Sequence, residues 1–178
     1  MISCTEFIPS YSLLFTWLEN KVDYDEVVRY WEYLGRISTG KLEAAVKEKG
    51  LFGCWEYWKA ALNEEAADFV MEIHINEDGT GYLASDMRYC PSMGRLLEYD
   101  HFEPHHDYCA HCDVIYPIVL DKYGIRSAPR TLDVQRAACA ISLHMDEPPA
   151  PEVAAAGWQA ALKELENAEA EAITAWVD

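Results

Sequence analysis

Apolar residues recur at helical spacing through the first third of the chain, which predicts a series of helices there. Asp23 is a suitable N-cap for the second of them, and Glu26 three positions later completes the start signal. A shorter helix from Leu42 to Lys49 should end at Gly50, because glycine favours helix C-termini. Another helix should run from Phe52 to about Ala67. The apolar positions that define these helices are Leu13, Leu14, Trp17, Leu18, Val27, Val28, Trp31, Leu34, Trp55, Trp58 and Leu62.

The apolar spacing changes to every second position in the middle of the chain, which is the pattern of a half-buried strand. Phe69 to Ile75 and Tyr82 to Tyr89 alternate in this way on either side of a short polar turn, so we expect a β-hairpin. A third strand is expected from Ile125 to Asp133, interrupted at Pro129. A fourth is expected from Ala137 to Met145.

Helices followed by strands, without regular alternation of the two, are typical of an α+β domain. We therefore expect a single domain over residues 1–178. Its parts would be a helical lead-in (1–67), a twisted antiparallel sheet of about four strands with the candidate site (68–146), and a long C-terminal helix (152–177). The apolar spacing of that last helix extends from Ala154 to Val177.

The composition indicates a folded, strongly acidic protein. Of the 178 residues, 51% are hydrophobic, and 14 Lys and Arg stand against 31 Asp and Glu, which gives a net charge of −17. Nucleic acid and anionic membranes require a basic surface, so neither is an expected partner. The chain shows neither a secretion signal nor the roughly 18 consecutive apolar residues that cross a membrane. We therefore expect a cytoplasmic protein with reduced cysteines.

Cysteine and histidine are concentrated in one stretch. Three of the six cysteines and four of the six histidines lie between Cys90 and Cys112. A further cysteine, Cys139, occupies a core-facing position of the last predicted strand. Clustered thiols in a reducing compartment indicate metal binding or catalysis more than disulfides. Cys54 is distant in sequence from this stretch and is expected to be a small buried apolar residue.

Local signals place three of the clustered thiols at helix starts. Pro91 predicts a short helix from Pro91 to Leu97 with Cys90 at its N-cap, where exposed N–H groups favour a thiolate. Asp107 is the expected N-cap of a second helix, from Tyr108 to Lys122. This helix should be kinked at Pro117 and should end at Gly124.

The start of this second helix brings several chemically active side chains together. Cys109 and Cys112 would share one face of its first turn, since they are three positions apart. Asp113 would lie beside Cys109. His111 would point away from that face, either as a partner of the site or into solvent.

Three kinds of site fit these residues, and burial without a role is the simple alternative. The first is tetrahedral zinc bound by Cys90, Cys109, Cys112 and either Cys139 or a loop histidine. The second is an iron–sulfur cluster on the same thiolates. The third is a thiolate nucleophile without metal, at Cys90 or Cys109. The loop histidines proposed as metal ligands are His101 and His106.

Several features between Leu51 and Met145 occur together in a recognisable order. They are a Trp-containing helix (Cys54 to Trp58), a hairpin ending in Cys90-Pro91, the pair Cys112-Asp113, and the segment Thr131-Leu132 before Cys139. This order resembles the L-2-amino-thiazoline-4-carboxylic acid hydrolase-like family, and is also similar to the four-vinyl-reductase type of small-molecule-binding domain. The resemblance implies an α+β domain whose helices and antiparallel sheet surround a pocket.

Two functions follow as hypotheses. In the first, zinc or a thiolate at the cysteines cleaves a C–N bond of a small cyclic substrate, with Cys90 and Asp113 as catalytic groups and Arg95 holding a substrate carboxylate. In the second, the protein is a non-catalytic sensor for a metal or a small molecule, with Trp55, Trp58 and Tyr89 lining an apolar pocket.

Overall fold

Three helices form the N-terminal part of the fold: α1 (Cys4–Lys21), α2 (Tyr24–Ser38) and α3 (Gly40–Glu64). A computed structural model describes residues 4–65, 68–101 and 103–150, together with residue 163. The helix predicted over 154–177 therefore lies outside the described residues, apart from residue 163. Among the described residues, no helix is long and apolar enough to cross a membrane.

Local sequence signals account for the boundaries of these helices. The Asp23 side chain caps α2 by accepting a hydrogen bond from the backbone N–H of Glu26, at 2.8 Å. In α3, Gly50 has φ 57° and ψ −132°, so the helix is kinked there into two segments. This left-handed region is open to glycine at little cost, which explains why the predicted break falls at this residue.

The sheet contains five antiparallel strands: β1 (Asp68–Ile75), β2 (Gly81–Tyr89), β3 (Arg126–Ser127), β4 (Thr131–Asp133) and β5 (Ala138–Met145). The strand order is β1-β2-β5-β3, and β4 also pairs with β5. The α+β class is confirmed. The prediction of about four strands differs by one because the segment around Pro129, which lacks an N–H group, forms two short strands.

The register of the sheet aligns three rows of side chains on the face that carries the helices. Alternating burial along β1 leaves Phe69, Met71, Ile73 and Ile75 on the less exposed side, as predicted. Opposite them in β2 lie Met87, Ser85 and Leu83. These three residues pair in turn with Cys139, Ile141 and Leu143 of β5. Cys139 therefore lies on the same side of the sheet as Met71 and Ser85.

The helices after the hairpin differ partly from the prediction. Helix α4 (Pro91–Leu97) has the predicted bounds, with Cys90 at its N-cap. The predicted single helix from Tyr108 is divided into a 3₁₀ turn (Tyr108–Ala110), α5 (His111–Ile115), α6 (Pro117–Leu120) and a second 3₁₀ turn (Asp121–Tyr123). Pro117 begins α6, since a proline fits the first position of a helix but not its interior.

Two buried clusters stabilise the fold. One joins α3 and the segment after Tyr116 to the sheet, and the other joins α1 and α2 to α4 and α5. The first cluster includes Leu42, Val46, Leu51, Cys54, Leu83, Val119, Leu120, Ile125, Leu143 and Met145. The second includes Ile8, Phe15, Val27, Trp31, Met93, Leu96, Tyr108, Ile115 and Ala137. Cys54 is fully buried, as predicted, and burial raises the pKa of its thiol to about 12.

Candidate functional site

A cavity of about 360 Å³ lies between the two buried clusters and is lined by members of both. Helix α1 contributes Ile8 and Tyr11 to its wall, and α3 contributes Tyr57, Trp58 and Leu62. The helix-bearing face of the sheet supplies another large part of the apolar wall. The sheet residues are Met71, Leu83, Met87, Ile141 and Leu143.

Four thiols line this one cavity: Cys90, Cys109, Cys112 and Cys139. They come from four separate places in the fold, namely the N-cap of α4, the 3₁₀ turn before α5, α5 itself and β5. The structure therefore brings together the four cysteines that the sequence singles out. Trp58 also lines the cavity, whereas Trp55 packs against Phe52 with ring centroids 5.3 Å apart.

The spacing of possible ligand atoms differs from that of a preformed zinc site. Ligands at about 2.3 Å from one tetrahedral ion lie roughly 4 Å from each other. In the described part of the chain, the one group of three or more Cys, His, Asp or Glu ligand atoms within 4.8 Å of one another is Glu19, His105 and His106. Zinc or an iron–sulfur cluster at the thiols accordingly stays a prediction.

The four thiols are protonated at neutral pH. Burial raises the pKa of Cys109 to about 12 and that of Cys112 and Cys139 to about 11. Burial also raises the pKa of Cys90, even though backbone N–H groups of Met93 and Ser92 act in the opposite direction. The N–H groups at the helix start thus lower the pKa of Cys90, as predicted. Burial raises it by more, so the pKa of this thiol is higher than usual and the predicted thiolate is not favoured.

The residue that sequence reasoning missed is Arg130, which lines the cavity with only 7% of its side chain exposed. Its Nε donates to Asp113 Oδ1 at 2.5 Å, and its Nη2 donates to Asp113 Oδ2 at 2.7 Å and to the carbonyl oxygen of Cys109 at 2.5 Å. This bidentate geometry holds the guanidinium in one orientation. The only local signal was an arginine directly after Pro129, and nothing in the sequence pairs it with Asp113.

Arg130 acts on every thiol of the cavity. Burial is the main cause of the raised thiol pKa values, and the guanidinium opposes that shift at all four cysteines. Arg130 acts on Cys139 in two ways, since it lowers the pKa of this thiol both through its charge and as a hydrogen-bond donor. A guanidinium has five N–H donors, and the bonds to Asp113 and Cys109 use three of them. The two N–H groups of Nη1 are not used in these bonds and remain for a ligand.

Asp113 makes the contacts of an orienting group, whereas Arg95 lies outside the cavity wall. Both carboxylate oxygens of Asp113 accept hydrogen bonds from Arg130, so this residue orients the cation. Arg95 donates to the carbonyl oxygens of Pro91 and Glu65, at 3.3 and 3.5 Å. Arg95 is not among the residues that line the cavity, whereas Arg130 is. The cation available to a ligand is therefore Arg130.

His111 lines the cavity beside Cys112. Its Nε2 lies 3.4 Å from the Cys112 sulfur, and its Nδ1 forms a short hydrogen bond with the carbonyl oxygen of Tyr108. Burial lowers the pKa of His111 to about 4, so the ring is neutral at pH 7. The prediction that His111 points away from the cysteines is wrong for Cys112, and the alternative of a partner to the site describes the observed contact.

The other histidines of the stretch lie elsewhere. His106 Nε2 is 3.1 Å from a carboxylate oxygen of Glu19 in α1, with 66% of its side chain exposed. His101 is exposed, and its ring packs against Tyr99 with centroids 5.4 Å apart. Neither is among the residues lining the cavity. The structure therefore does not bring His101 or His106 to the thiols.

Glu19, His105 and His106 form a link between α1 and the loop before Tyr108. The His105 side chain is 1% exposed, and its Nε2 lies 3.0 Å from Glu19. The backbone N–H of Asp107 donates to His105 Nδ1 at 3.3 Å, which assigns the proton of this neutral ring to Nε2. Nε2 then donates to Glu19 and has no lone pair for a metal. This group is better explained as a structural link than as a metal site.

Comparison with protein-family models, with curated proteins and with solved structures found no match. The resemblance to the L-2-amino-thiazoline-4-carboxylic acid hydrolase-like family stays a prediction. The structural features that bear on function are the cavity, its thiols and its buried arginine.

Proposed function

We propose that this protein binds a small, largely apolar molecule that carries one carboxylate or carbonyl group. The observation that supports the proposal is the cavity of about 360 Å³, which combines aromatic and aliphatic walls with a single buried guanidinium. Sites for small molecules have volumes of about 300–1,000 Å³, mostly apolar walls and few polar groups that fix orientation. The cavity matches this description in size and in chemistry.

The apolar walls would supply most of the binding free energy. The Trp58 and Tyr116 rings pack edge to face with centroids 5.3 Å apart, and both line the cavity. Tyr11 of α1 is also part of the wall. Removing apolar surface from water contributes about 25 cal/mol per Å², so a two-ring molecule enclosed here gains several kcal/mol. A flat aromatic or alicyclic body is the shape such walls favour.

Two polar groups would orient the ligand. Arg130 offers Nη1 to a carboxylate or carbonyl oxygen, and Asp113 holds it in place. Ser85 in β2 lines the cavity too, and its buried hydroxyl has no hydrogen-bond partner among the described residues. A buried hydroxyl without a partner is costly, and a ligand that supplies one would remove that cost.

The first test of the proposal fills the cavity. Ala61 lines it, whereas the neighbouring Ala60 of α3 is exposed, so the two residues provide a matched pair. With 2-naphthoate as the probe, isothermal titration calorimetry should show saturable binding to the unmodified protein. The substitution Ala61→Phe should weaken binding by about tenfold or more, because the new ring occupies ligand volume. Ala60→Phe should leave the affinity unchanged.

Circular dichroism spectra of both variants would establish that they fold. The proposal is wrong if the unmodified protein shows no saturable binding of 2-naphthoate. It is also wrong if the folded Ala61→Phe and Ala60→Phe variants bind the probe equally well, because the probe would then occupy another site.

A further inference from the structure

The cavity wall contains a thiol–imidazole pair that ligand binding alone does not require. His111 Nε2 lies 3.4 Å from Cys112 Sγ, and both side chains line the cavity. Among the hydrogen bonds of the described thiols, this is the one to an imidazole. Cys112 is therefore distinguished from Cys90, Cys109 and Cys139 by a side chain able to take its proton.

The backbone sets the direction of this hydrogen bond. The Tyr108 carbonyl oxygen can only accept, so the His111 Nδ1 that contacts it carries the ring proton. In the neutral ring, Nε2 then has the free lone pair and accepts from the Cys112 S–H group. A chain of hydrogen bonds thus connects the thiol of Cys112 to the imidazole of His111 and the imidazole to the Tyr108 carbonyl oxygen. A nucleophile, a base and a group that orients the base are the parts of an activated nucleophile.

We infer that Cys112 is a nucleophile and His111 its general base, acting on an electrophilic carbonyl-type carbon of the molecule held in the cavity. The substrate class is an ester or an amide with an apolar body. This inference depends on the proposed function, since the cavity must hold the substrate beside the sulfur.

The reaction balances as a hydrolysis. The Cys112 proton moves to His111 Nε2 as sulfur forms a bond to the carbon. The bond from that carbon to the leaving nitrogen or oxygen then breaks, and the leaving group takes the proton from Nε2. Water next attacks the acyl carbon and gives a proton to Nε2, the C–S bond breaks, and the proton returns to sulfur. The net change consumes one water and regenerates Cys112 and His111.

Burial holds both members of the pair uncharged at rest and opposes the charge separation that the reaction requires. Burial keeps the Cys112 thiol protonated and the His111 ring neutral at pH 7. Attack by the thiol therefore requires simultaneous proton transfer to the base. The Arg130 guanidinium stabilises negative charge on Cys112, as its effect on the pKa of that thiol indicates. Arg130 thus favours the thiolate of Cys112 and disfavours the imidazolium of His111, on which Asp113 has the opposite, favourable effect.

Acyl transfer from 4-nitrophenyl butyrate tests the inference directly. The expected result is a burst of 4-nitrophenolate and one butyryl group on Cys112, located by peptide mass spectrometry. Cys112→Ala should abolish the adduct, and His111→Gln should slow its formation by about 100-fold. Cys54→Ala removes a buried thiol outside the cavity wall and should change neither result. Circular dichroism would show that each variant folds.

Acylation of Cys112 tests the nucleophile, and the rate in His111→Gln tests the base. Labelling of another cysteine in preference to Cys112 overturns the inference, as does a rate of 4-nitrophenolate release that Cys112→Ala leaves unchanged. An unchanged rate in His111→Gln overturns the role of the base. Calorimetry with 2-naphthoate separates this inference from the proposed function. Binding of 2-naphthoate without acylation supports the proposed binding function and rules out Cys112 as a nucleophile. Acylation of Cys112 without naphthoate binding keeps the nucleophile and shows that the cavity admits the ester but does not select a carboxylate.

Discussion

At the scale of single residues, the site depends on one cation that is almost completely removed from water. The Arg130 side chain is 7% exposed, and its hydrogen bonds to Asp113 and to the Cys109 carbonyl compensate for lost hydration. Asp113 is itself 50% exposed, so the pair reaches from solvent into the cavity. Charged hydrogen bonds of this kind contribute more than neutral ones, and a ligand oxygen on Nη1 would add to them.

The role of Arg130 can be measured with two ligands that share one ring system. Arg130→Gln should weaken 2-naphthoate binding by about tenfold or more, because a charge-assisted hydrogen bond is lost. It should weaken 2-naphthol binding much less, since that ligand is neutral at pH 7. Calorimetric titration of both ligands gives the comparison.

The matched control is Arg126→Gln. Arg126 pairs with Asp146 at 2.9 Å, has 68% of its side chain exposed and is not among the cavity-lining residues, so its loss should affect neither ligand. Equal losses for naphthoate and naphthol in Arg130→Gln would contradict a role in recognising the negative charge.

At the scale of elements, the features predicted from sequence are those with local causes. The Asp23 cap, the break at Gly50, the hairpin and helix α4 each depend on residues within a few positions of one another. The contacts that were not predictable join distant elements. Asp113 is 17 positions from Arg130, and Glu19 is 86 from His105. Neither hydrophobic periodicity nor a helix-capping residue predicts such pairs, because tertiary packing alone creates them.

The kink in α3 provides a test at this scale. Gly50→Ala should lower the free energy of unfolding by about 1–2 kcal/mol, because a Cβ is disfavoured at φ 57°. An added Cβ would meet only Met145, at 3.9 Å, so the cost is conformational and not a clash. Urea unfolding followed by circular dichroism measures the change.

Gly40→Ala is the control for Gly50→Ala. It lies in the first turn of α3, and an added Cβ there meets no atom within 4 Å. We expect its unfolding free energy to stay the same or rise slightly. Equal effects of the two substitutions would show that the backbone conformation at Gly50 is not a determinant of stability.

At the scale of the whole molecule, acid should destabilise the fold. Burial lowers the pKa of His111 to about 4, and burial also lowers the pKa of His105. Unfolded chains bind the proton near the ordinary histidine value of about 6.5, so the folded state loses stability as pH falls from about 6.5 towards 4. Glu19 acts in the same direction, because hydrogen bonds from His106 and His105 lower its pKa.

The lowered pKa of His111 sets how much stability the protein should lose in acid. Between pH 7 and pH 5 the unfolding free energy should fall by about 1–2 kcal/mol through this residue. Urea denaturation at the two pH values measures the fall, and His111→Gln should reduce it. A pH dependence that His111→Gln leaves unchanged would show that this histidine is not buried in its neutral form.

The ion pair of Arg130 and Asp113 also has a mechanical consequence. Arg130 lies between β3 and β4 at the edge of the sheet, whereas Asp113 belongs to α5 in the helical layer. If the sheet edge slid along the helices, the guanidinium would lose its carboxylate partner while its own side chain, 7% exposed, stayed out of reach of water. The pair therefore resists relative displacement of the two layers, and with it any change in the width of the space enclosed between them.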